Sequence, residues 1–323
     1  MVERRVTEDR GRKVVDANRR FQVRSILQGV LGIQISRING LHVGFAWLIC
    51  GCRLHMSLNP RLYKDKLVWI TGASSGIGAA LASAFAAREA TLVLSARRRD
   101  RLEAVRAGCV HAERHRILEL DLTEAAAVPA AAESVLSQQG RVDILVNNGG
   151  LTQRSLAKDT GLEVDRRIME INYFGAVALT KAVLPSMLAR RSGDIVVVSS
   201  LVGHFSTPLR SAYAASKHAL HGFFDALRAE VYADGLHVML VCPGFVRTEI
   251  SFHALTANGS PHAAIDASQA AGLAPEKCAA QILAGLDRRK DEIVVGGKET
   301  RYLLLHRFFP ALFRRAIRTF KVT

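Results

Sequence analysis

The chain is predicted to be an α/β protein, a doubly wound parallel sheet of about seven strands with helices on both faces and a single domain. Two observations carry that prediction. From Leu67 onward short apolar runs alternate with helical patterns, and such connections lay strands parallel with helices covering them. The first of these strands also runs directly into a glycine-punctuated turn and an Ala-rich helix. The strands expected are Leu67–Ile70, Thr91–Ser95, Ile117–Leu120, Ile144–Val146, Ile195–Val198, Val238–Val241 and Glu292–Val295. With 323 residues, 49% of them hydrophobic, the chain can bury one substantial core plus extensions.

Residues 1–55 stand apart from this pattern. Met1 to Arg24 is polar and Arg-rich, and the apolar stretch from Ile26 to Cys52 is broken by Arg37 and several glycines. Its uncharged part, Ile38 to Cys52, falls short of the ~20 residues a membrane span needs. A signal peptide fits poorly, because the charged region is too long and no small-residue cleavage site stands out. A weak membrane anchor, a targeting extension and an artefact of start-site choice all remain open, with the artefact or a disordered extension favoured. A catalytic domain is expected over 56–300, followed by a tail over 301–323.

The net charge of +15 would suit nucleic acid or anionic lipid if it were spread evenly. It gathers instead at the ends. Arg301, Arg307, Arg314, Arg315, Arg318 and Lys321 lie in a last segment without a single acid. No nucleic-acid recognition motif accompanies them, so nucleic acid is not expected as a partner. Cys50, Cys52, Cys109, Cys242 and Cys278 form no disulfide framework and no CxxC pair, which points to a reducing, cytoplasmic location.

The first strand leads into Thr71-Gly72-Ala73-Ser74-Ser75-Gly76-Ile77-Gly78. Gly72 permits a tight turn, Gly76 lets backbone approach a ligand and Gly78 lets the helix pack on the strand. The helix N-terminus then offers unpaired N–H groups and a positive dipole end to a pyrophosphate, so the sheet is read as Rossmann-type. At the end of the second strand, where an acid would bind a ribose 2′-hydroxyl, the chain has Ala96 and then Arg97. A guanidinium there suits a 2′-phosphate, which favours NADP(H) over NAD(H). Arg99 and Arg101 read as a solvated helix start. Asp121, followed by Leu122, is placed to contact an adenine, and it also suits an N-cap for a helix beginning near Glu124.

Tyr213 and Lys217 open a long Ala-rich helical stretch and stand four apart, on one face. A free phenol is protonated at neutral pH, and bringing its pKa to about 7 takes roughly 4 kcal/mol. A positive charge at ~4 Å supplies about that much at an effective dielectric of ~20. The pair is therefore expected to give a tyrosine that donates and accepts a proton. His218 and His221 are also on this helix, but no third ligand is near in sequence and no metal is expected.

Together, Thr71–Gly78, Asn147-Asn148-Gly149-Gly150, Ser200 and Tyr213/Lys217 resemble the short-chain dehydrogenase/reductase family. The resemblance runs from about Leu67 to Val295. Gln153-Arg154-Ser155-Leu156 and Ser216-Lys217-His218-Ala219-Leu220 are similar to its retinoid- and steroid-active branch, which includes dehydrogenase/reductase member seven. Gly149 departs from the family's usual alanine, a change expected to matter little. The resemblance implies Tyr213 as general acid and base, and Lys217 as the group that depresses its pKa and holds the nicotinamide ribose. Ser200 would bond the substrate oxygen, with Ser199 turned away by strand alternation. Asn172 would hold a water relaying protons to Lys217, and Asn147 would close the sheet beneath the cofactor. Asn148 and Gly149 would border the cofactor, and Pro243, Gly244, Val246 and Thr248 would cradle the nicotinamide carboxamide.

The stretch from Glu249 to Ala274 is expected to form a lid, with Ile250, Phe252, Leu255 and Ile265 making it apolar and His204, Phe205 and Leu209 lining the opposite wall. The expected substrate is a lipophilic carbonyl or secondary alcohol. The family implies a homodimer or homotetramer joined through the helices bearing Asn172 and Tyr213, with Phe223 and Phe224 at that interface or in the core. The tail, Tyr302 to Phe320, mixes leucines and phenylalanines with its arginines and is divided by Pro310. It suits either a peripheral contact with anionic lipid or packing on the core. A non-catalytic, nucleotide-responsive binding protein on the same scaffold is the alternative function.

Overall fold

The computed structural model describes residues 63–124 and 126–319, so the expectations for residues 1–55 lie outside it. Seven strands form one sheet: β1 (Leu67–Thr71), β2 (Thr91–Ala96), β3 (Arg116–Glu119), β4 (Ile144–Asn147), β5 (Asp194–Val198), β6 (His237–Pro243) and β7 (Glu292–Val295). All pair in parallel, in the order β3-β2-β1-β4-β5-β6-β7. The predicted strands are met to within a residue or two. The sheet order reverses direction between β1 and β4, and the connections there leave to opposite faces. That divergence opens a crevice at the carboxyl ends of the strands.

The helices follow from where the apolar side chains fall. On one face Val68, Ile70, Leu92, Leu94, Ile144 and Val146 meet α1 (Gly76–Ala86) through Leu81 and Phe85. The same face carries α2 (Arg99–Ala107) at its margin. On the other face Trp69, Val93, Leu145, Ile195, Val197 and Leu240 pack under α3 (Ala127–Gln139), α5 (Gly175–Arg190) and α6 (Ser211–Val231), while α4 (Leu162–Met169) packs on α6 through Val164, Ile168 and Ala212. Two-residue alternation along each strand sends every second side chain to each layer. In α6 the buried set Tyr213, Lys217, Leu220, Phe224, Leu227 and Val231 recurs at three- and four-residue spacing, which lays one stripe on the sheet.

Helices α4 and α5 run on through a π-turn, Glu170–Phe174, that contains Asn172. The combined helix, Leu162–Arg190, is long and apolar enough to cross a membrane, but half of its apolar window is buried in the fold. It is a core helix.

Two local expectations are corrected. Helix α3 starts at Ala127, not near Glu124, and Asp121 does not cap it. Asp121 Oδ1 instead accepts from the Thr123 backbone N–H (3.0 Å) and hydroxyl (2.9 Å), a turn that satisfies the side chain before the helix begins. The Glu249–Ala274 stretch is not a bare loop. It holds the short helix α7 (Ala267–Ala270) and isolated bridges joining Leu255 to Gln153 and Val246 to Leu273, before α8 (Pro275–Asp287). The tail also forms helices: α9 (Arg301–Phe308) and α10 (Pro310–Ala316), with Pro310 at the first position of the second, where its missing N–H costs nothing. Phe313 packs against Leu201 and Phe205. The tail therefore packs on the core, while Leu304, Phe308, Phe309 and Leu312 stay exposed on its outer side.

Candidate active site

A cavity of about 470 Å³ lies at the carboxyl ends of the central strands. One end is the glycine turn, where Gly72 and Gly76 both adopt left-handed backbone (φ +62° and +56°). A Cβ at Gly72 would sit 2.8 Å from the Gly149 Cα, and one at Gly76 would sit 2.8 Å from the Thr248 methyl. Ser74, Ser75 and Ile77 line the cavity beside them. Ser75 precedes α1 without capping it through its side chain, so the first-turn N–H groups are left to the cavity. Gly78 lies beneath, against the Gly72 carbonyl, and is not part of the lining.

Ala96, Arg97, Asp121 and Leu122 line the same end. Arg97 is exposed, whereas Arg99 is engaged with Glu103 (3.5 Å) and Glu119 (3.2 Å). Asn148 lines the cavity and staples the turn, its side-chain amide donating to the Thr71 and Gly72 carbonyls at 3.0 and 3.1 Å. Asn147 is buried in the sheet and donates to Thr180 (2.9 Å). Gly149 faces Leu122, and a Cβ there would come within 2.7 Å of the leucine Cδ1. Past β6, Pro243, Gly244, Val246 and Thr248 all reach the cavity. The Val246 carbonyl accepts from Gln269, so that residue offers its N–H rather than its C=O.

Deeper in, Ser200, Tyr213 and Lys217 converge. The Ser200 hydroxyl favours the ionised form of Tyr213 and donates to the Pro243 carbonyl at 3.4 Å. Ser199 is turned away, its hydroxyl bonded to His221 Nε2 at 2.9 Å. Lys217 Nζ donates to the Val198 carbonyl (2.9 Å) and stands 5.7 Å from the centre of the Tyr213 ring. The phenol lies above its ordinary range, not below it as expected. Burial raises the Tyr213 hydroxyl, and the effects opposing it are the Ser200 hydroxyl and the charges of Arg210 and Arg154. Burial also pushes Lys217 down to about 8. Asn172 does not line the cavity. Its side chain is spent on the Leu151 backbone (2.7 and 2.9 Å) and on Ser216 (2.8 Å), so any water it holds is held through its main chain. The π-turn favours that arrangement, because the register change loosens carbonyls from the helix ladder.

Four residues not singled out as site residues support the inner end of the cavity, and two of them, Arg154 and Arg210, line it. Helix α6 has no capping side chain of its own, and Gln153 supplies one from the loop after β4. Its Oε1 accepts from the Ala212 N–H (2.8 Å) and the Tyr213 N–H (3.3 Å). Arg154 and Arg210 both reach the buried carboxylate of Asp266, Arg154 through Nε at 2.9 Å and Arg210 through Nη2 at 3.5 Å. In the sequence Gln153 and Arg154 carry only the family resemblance, and Asp266 is 112 positions from Arg154, so nothing local assigns them these partners. Gln153→Leu is expected to cost about 1–2 kcal/mol in urea unfolding, the worth of a helix cap. Turnover is expected to fall more than substrate affinity, because the lost acceptor holds the backbone of Tyr213 itself.

The lid expectations are met in part. Ile250 and Phe205 line the cavity, joined by Tyr302 and Ile317 from the tail segment. His204 and Leu209 do not. Leu255 is buried in a separate cluster with Val164 and Ile168, and Phe252 and Ile265 are exposed. Phe224 is in the core, with Phe223 stacked edge-on against it at 5.0 Å.

Residues 66–258 match the family model described as short chain dehydrogenase. A dehydrogenase/reductase SDR family protein 7-like from Anopheles gambiae is 46% identical over 73% of this chain and 77% of its own length. The dehydrogenase/reductase SDR family member 7B of Bos taurus is 41% identical over 83% of this chain and 87% of its own. Among solved structures, a short-chain dehydrogenase from Streptomyces avermitilis superposes with a TM-score of 0.69 at 33% identity, covering 79% of this chain and 98% of that one. An alcohol dehydrogenase from Thermococcus sibiricus, complexed with 5-hydroxy-NADP, gives 0.63 at 27% identity, covering 72% and 97%. A parallel sheet in this order, a glycine turn facing a hydroxyl pair over a buried lysine, and relatives of this closeness lead to one conclusion: the chain belongs to the short-chain dehydrogenase/reductase family of oxidoreductases.

Proposed function

We propose that this protein is an NADP(H)-dependent oxidoreductase acting on a lipophilic carbonyl or secondary alcohol, with Tyr213 as proton donor and acceptor. The observation that carries the reading is one cavity with the glycine turn at one end and Ser200, Tyr213 and Lys217 at the other. The residues fit a dinucleotide. Uncapped N–H groups of α1 suit its pyrophosphate, and Ala96 followed by Arg97 suits a 2′-phosphate better than a bare hydroxyl. When bound, that cofactor supplies or accepts the hydride. The chain does the rest: Ser200 holds the substrate oxygen, Tyr213 gives it a proton in reduction and removes one in oxidation, and Lys217 restores the proton balance behind the ring. The Thermococcus sibiricus enzyme, solved with a hydroxylated NADP, supports the choice of cofactor.

A panel of ketones, retinal and steroids followed by NADPH oxidation tests the reading. A nucleotide-responsive binding protein would bind NADPH and turn over none of them. Arg97→Ala is expected to raise the KM for NADPH by about 10- to 100-fold, since bonds to a charged group are worth ~1.5–3 kcal/mol, and to leave that for NADH unchanged. A wild-type preference for NADH would remove the role given to Arg97.

The reading extends to partners. A homodimer or homotetramer through α5 and α6 would cover the exposed Phe174 beside Tyr173. The exposed strip Leu304, Phe308, Phe309 and Leu312, flanked by exposed Arg307 and Arg314, suits a peripheral contact with anionic lipid. The full chain is then expected to float with anionic vesicles and Leu312→Glu to reduce the floating fraction; absence of flotation would remove the lipid contact.

A further inference from the structure

One helical turn beyond Lys217, on the same face of α6, His221 meets three residues that the sequence keeps far apart: His204, Cys242 of β6 and Glu292 at the start of β7. We propose that these four side chains form a binding site for one zinc-type divalent cation. Their ligand atoms, two imidazole nitrogens, a thiol sulfur and a carboxylate oxygen, all lie within 4.8 Å of one another. His204 Nε2 is 3.4 Å from Glu292 Oε1, and His221 Nε2 is 3.7 Å from Cys242 Sγ. Bonds of about 2.0–2.1 Å to nitrogen and about 2.3 Å to sulfur put the donors of a tetrahedral ion roughly 3.3–3.6 Å apart. Small side-chain adjustments therefore suffice. The mixed nitrogen, sulfur and oxygen set suits zinc and its neighbours, and does not suit magnesium or calcium, which take oxygen.

Two further observations point to a ligand. His204 Nε2 is buried and faces the Glu292 carboxylate at 3.4 Å without a well-aligned hydrogen bond, a poorly satisfied polar atom that a cation would satisfy. The backbone has also left space for the second imidazole: a Cβ at Gly203 would stand 2.6 Å from His221 Nε2 and 2.7 Å from Ser199 Oγ. The group a cation would displace is the Ser199 hydroxyl, which holds His221 Nε2 now and can keep its second bond, to the Lys217 carbonyl (3.4 Å). His218, the neighbour in sequence, takes no part, since its Nδ1 is bonded to the Ala214 carbonyl at 2.9 Å. With four protein ligands the site is of the closed, structural kind. It would tie the loop bearing Ser200 and the ends of β6 and β7 to the helix bearing Tyr213 and Lys217, and so position those residues without touching substrate.

The test uses the full chain, stripped with a chelator and titrated with Co²⁺ as a spectroscopic probe. The expected result is one equivalent taken up, with the visible bands of tetrahedral cobalt and a sulfur-to-cobalt charge-transfer band, and with Zn²⁺ displacing the cobalt and raising Tm. Cys242→Ser is expected to abolish the charge-transfer band. His204→Ala is expected to weaken binding by about 100-fold, since loss of even an outer partner typically costs 10–100-fold. His204 is half-buried, so its variant keeps the test alive if Cys242→Ser fails to fold. Removing Cys50 and Cys52 together should leave the spectrum unchanged. No saturable uptake, an octahedral spectrum, or a spectrum that survives both Cys242→Ser and His204→Ala would overturn the site.

Discussion

Tyr213→Phe is expected to lower carbonyl reduction by about 10²–10⁴-fold with little change in NADPH affinity, the usual worth of a positioned proton donor. The ring and its packing survive the change. What is lost is the phenol hydroxyl, on a residue that lines the cavity beside Ser200. The pH profile gives an independent check. Burial holds the phenol above its ordinary range, so it is protonated at neutral pH and competent as a donor. Reduction is therefore expected to run flat through neutral pH, and to decline only as the medium approaches the raised phenol pKa. Oxidation of the alcohol needs the phenolate, and is expected to climb about tenfold per pH unit below that pKa. Equal turnover by wild type and Tyr213→Phe would remove Tyr213 from the chemistry, and an oxidation rate independent of pH would remove it as the base.

Asp266→Asn is expected to destabilise the fold by about 3–5 kcal/mol, the cost of leaving a buried charge without its partner. The carboxylate is 1% exposed and lies between Arg154 and Arg210, which are 3% and 9% exposed. Without it two guanidiniums face each other in a poorly solvated space. Burial and Arg154 together already push Arg210 down to about 10, so this repulsion is present in the native chain and held in check by Asp266. Chemical denaturation followed by circular dichroism measures the loss, and a change under 1 kcal/mol would show that solvent reaches the cluster. Cofactor binding should be less affected than substrate binding, because the triad borders the substrate end of the cavity and joins the loop after β4 to the segment before α7.

The parts of the site that were legible in the sequence are those set by neighbours along the chain. A glycine turn between a strand and a helix and a Tyr–Lys pair one helical turn apart are local geometry, fixed by backbone sterics and helical pitch. Arg97 after Ala96 is local in the same sense. The Gln153 cap, the Arg154–Asp266–Arg210 cluster and the gathering of His204, His221, Cys242 and Glu292 were not legible, because each is closed by residues tens to more than a hundred positions apart. The lid was legible only in part for a related reason: Ile250, Phe252, Leu255 and Ile265 are equally apolar, but bridges and burial elsewhere decide which of them reach the cavity.

By itself, then, the order of apolar runs and turns determined that this chain forms a doubly wound parallel sheet, since a two-residue and a 3.6-residue period can each bury only one kind of surface. Only the tertiary structure decided the electrostatics of the site. The sequence suggested a lowered phenol, whereas the fold surrounds that phenol with low-dielectric packing, so burial raises it, opposed by Ser200, Arg210 and Arg154. Charge interactions depend on distance and on solvent, and neither exists until the chain has closed on itself.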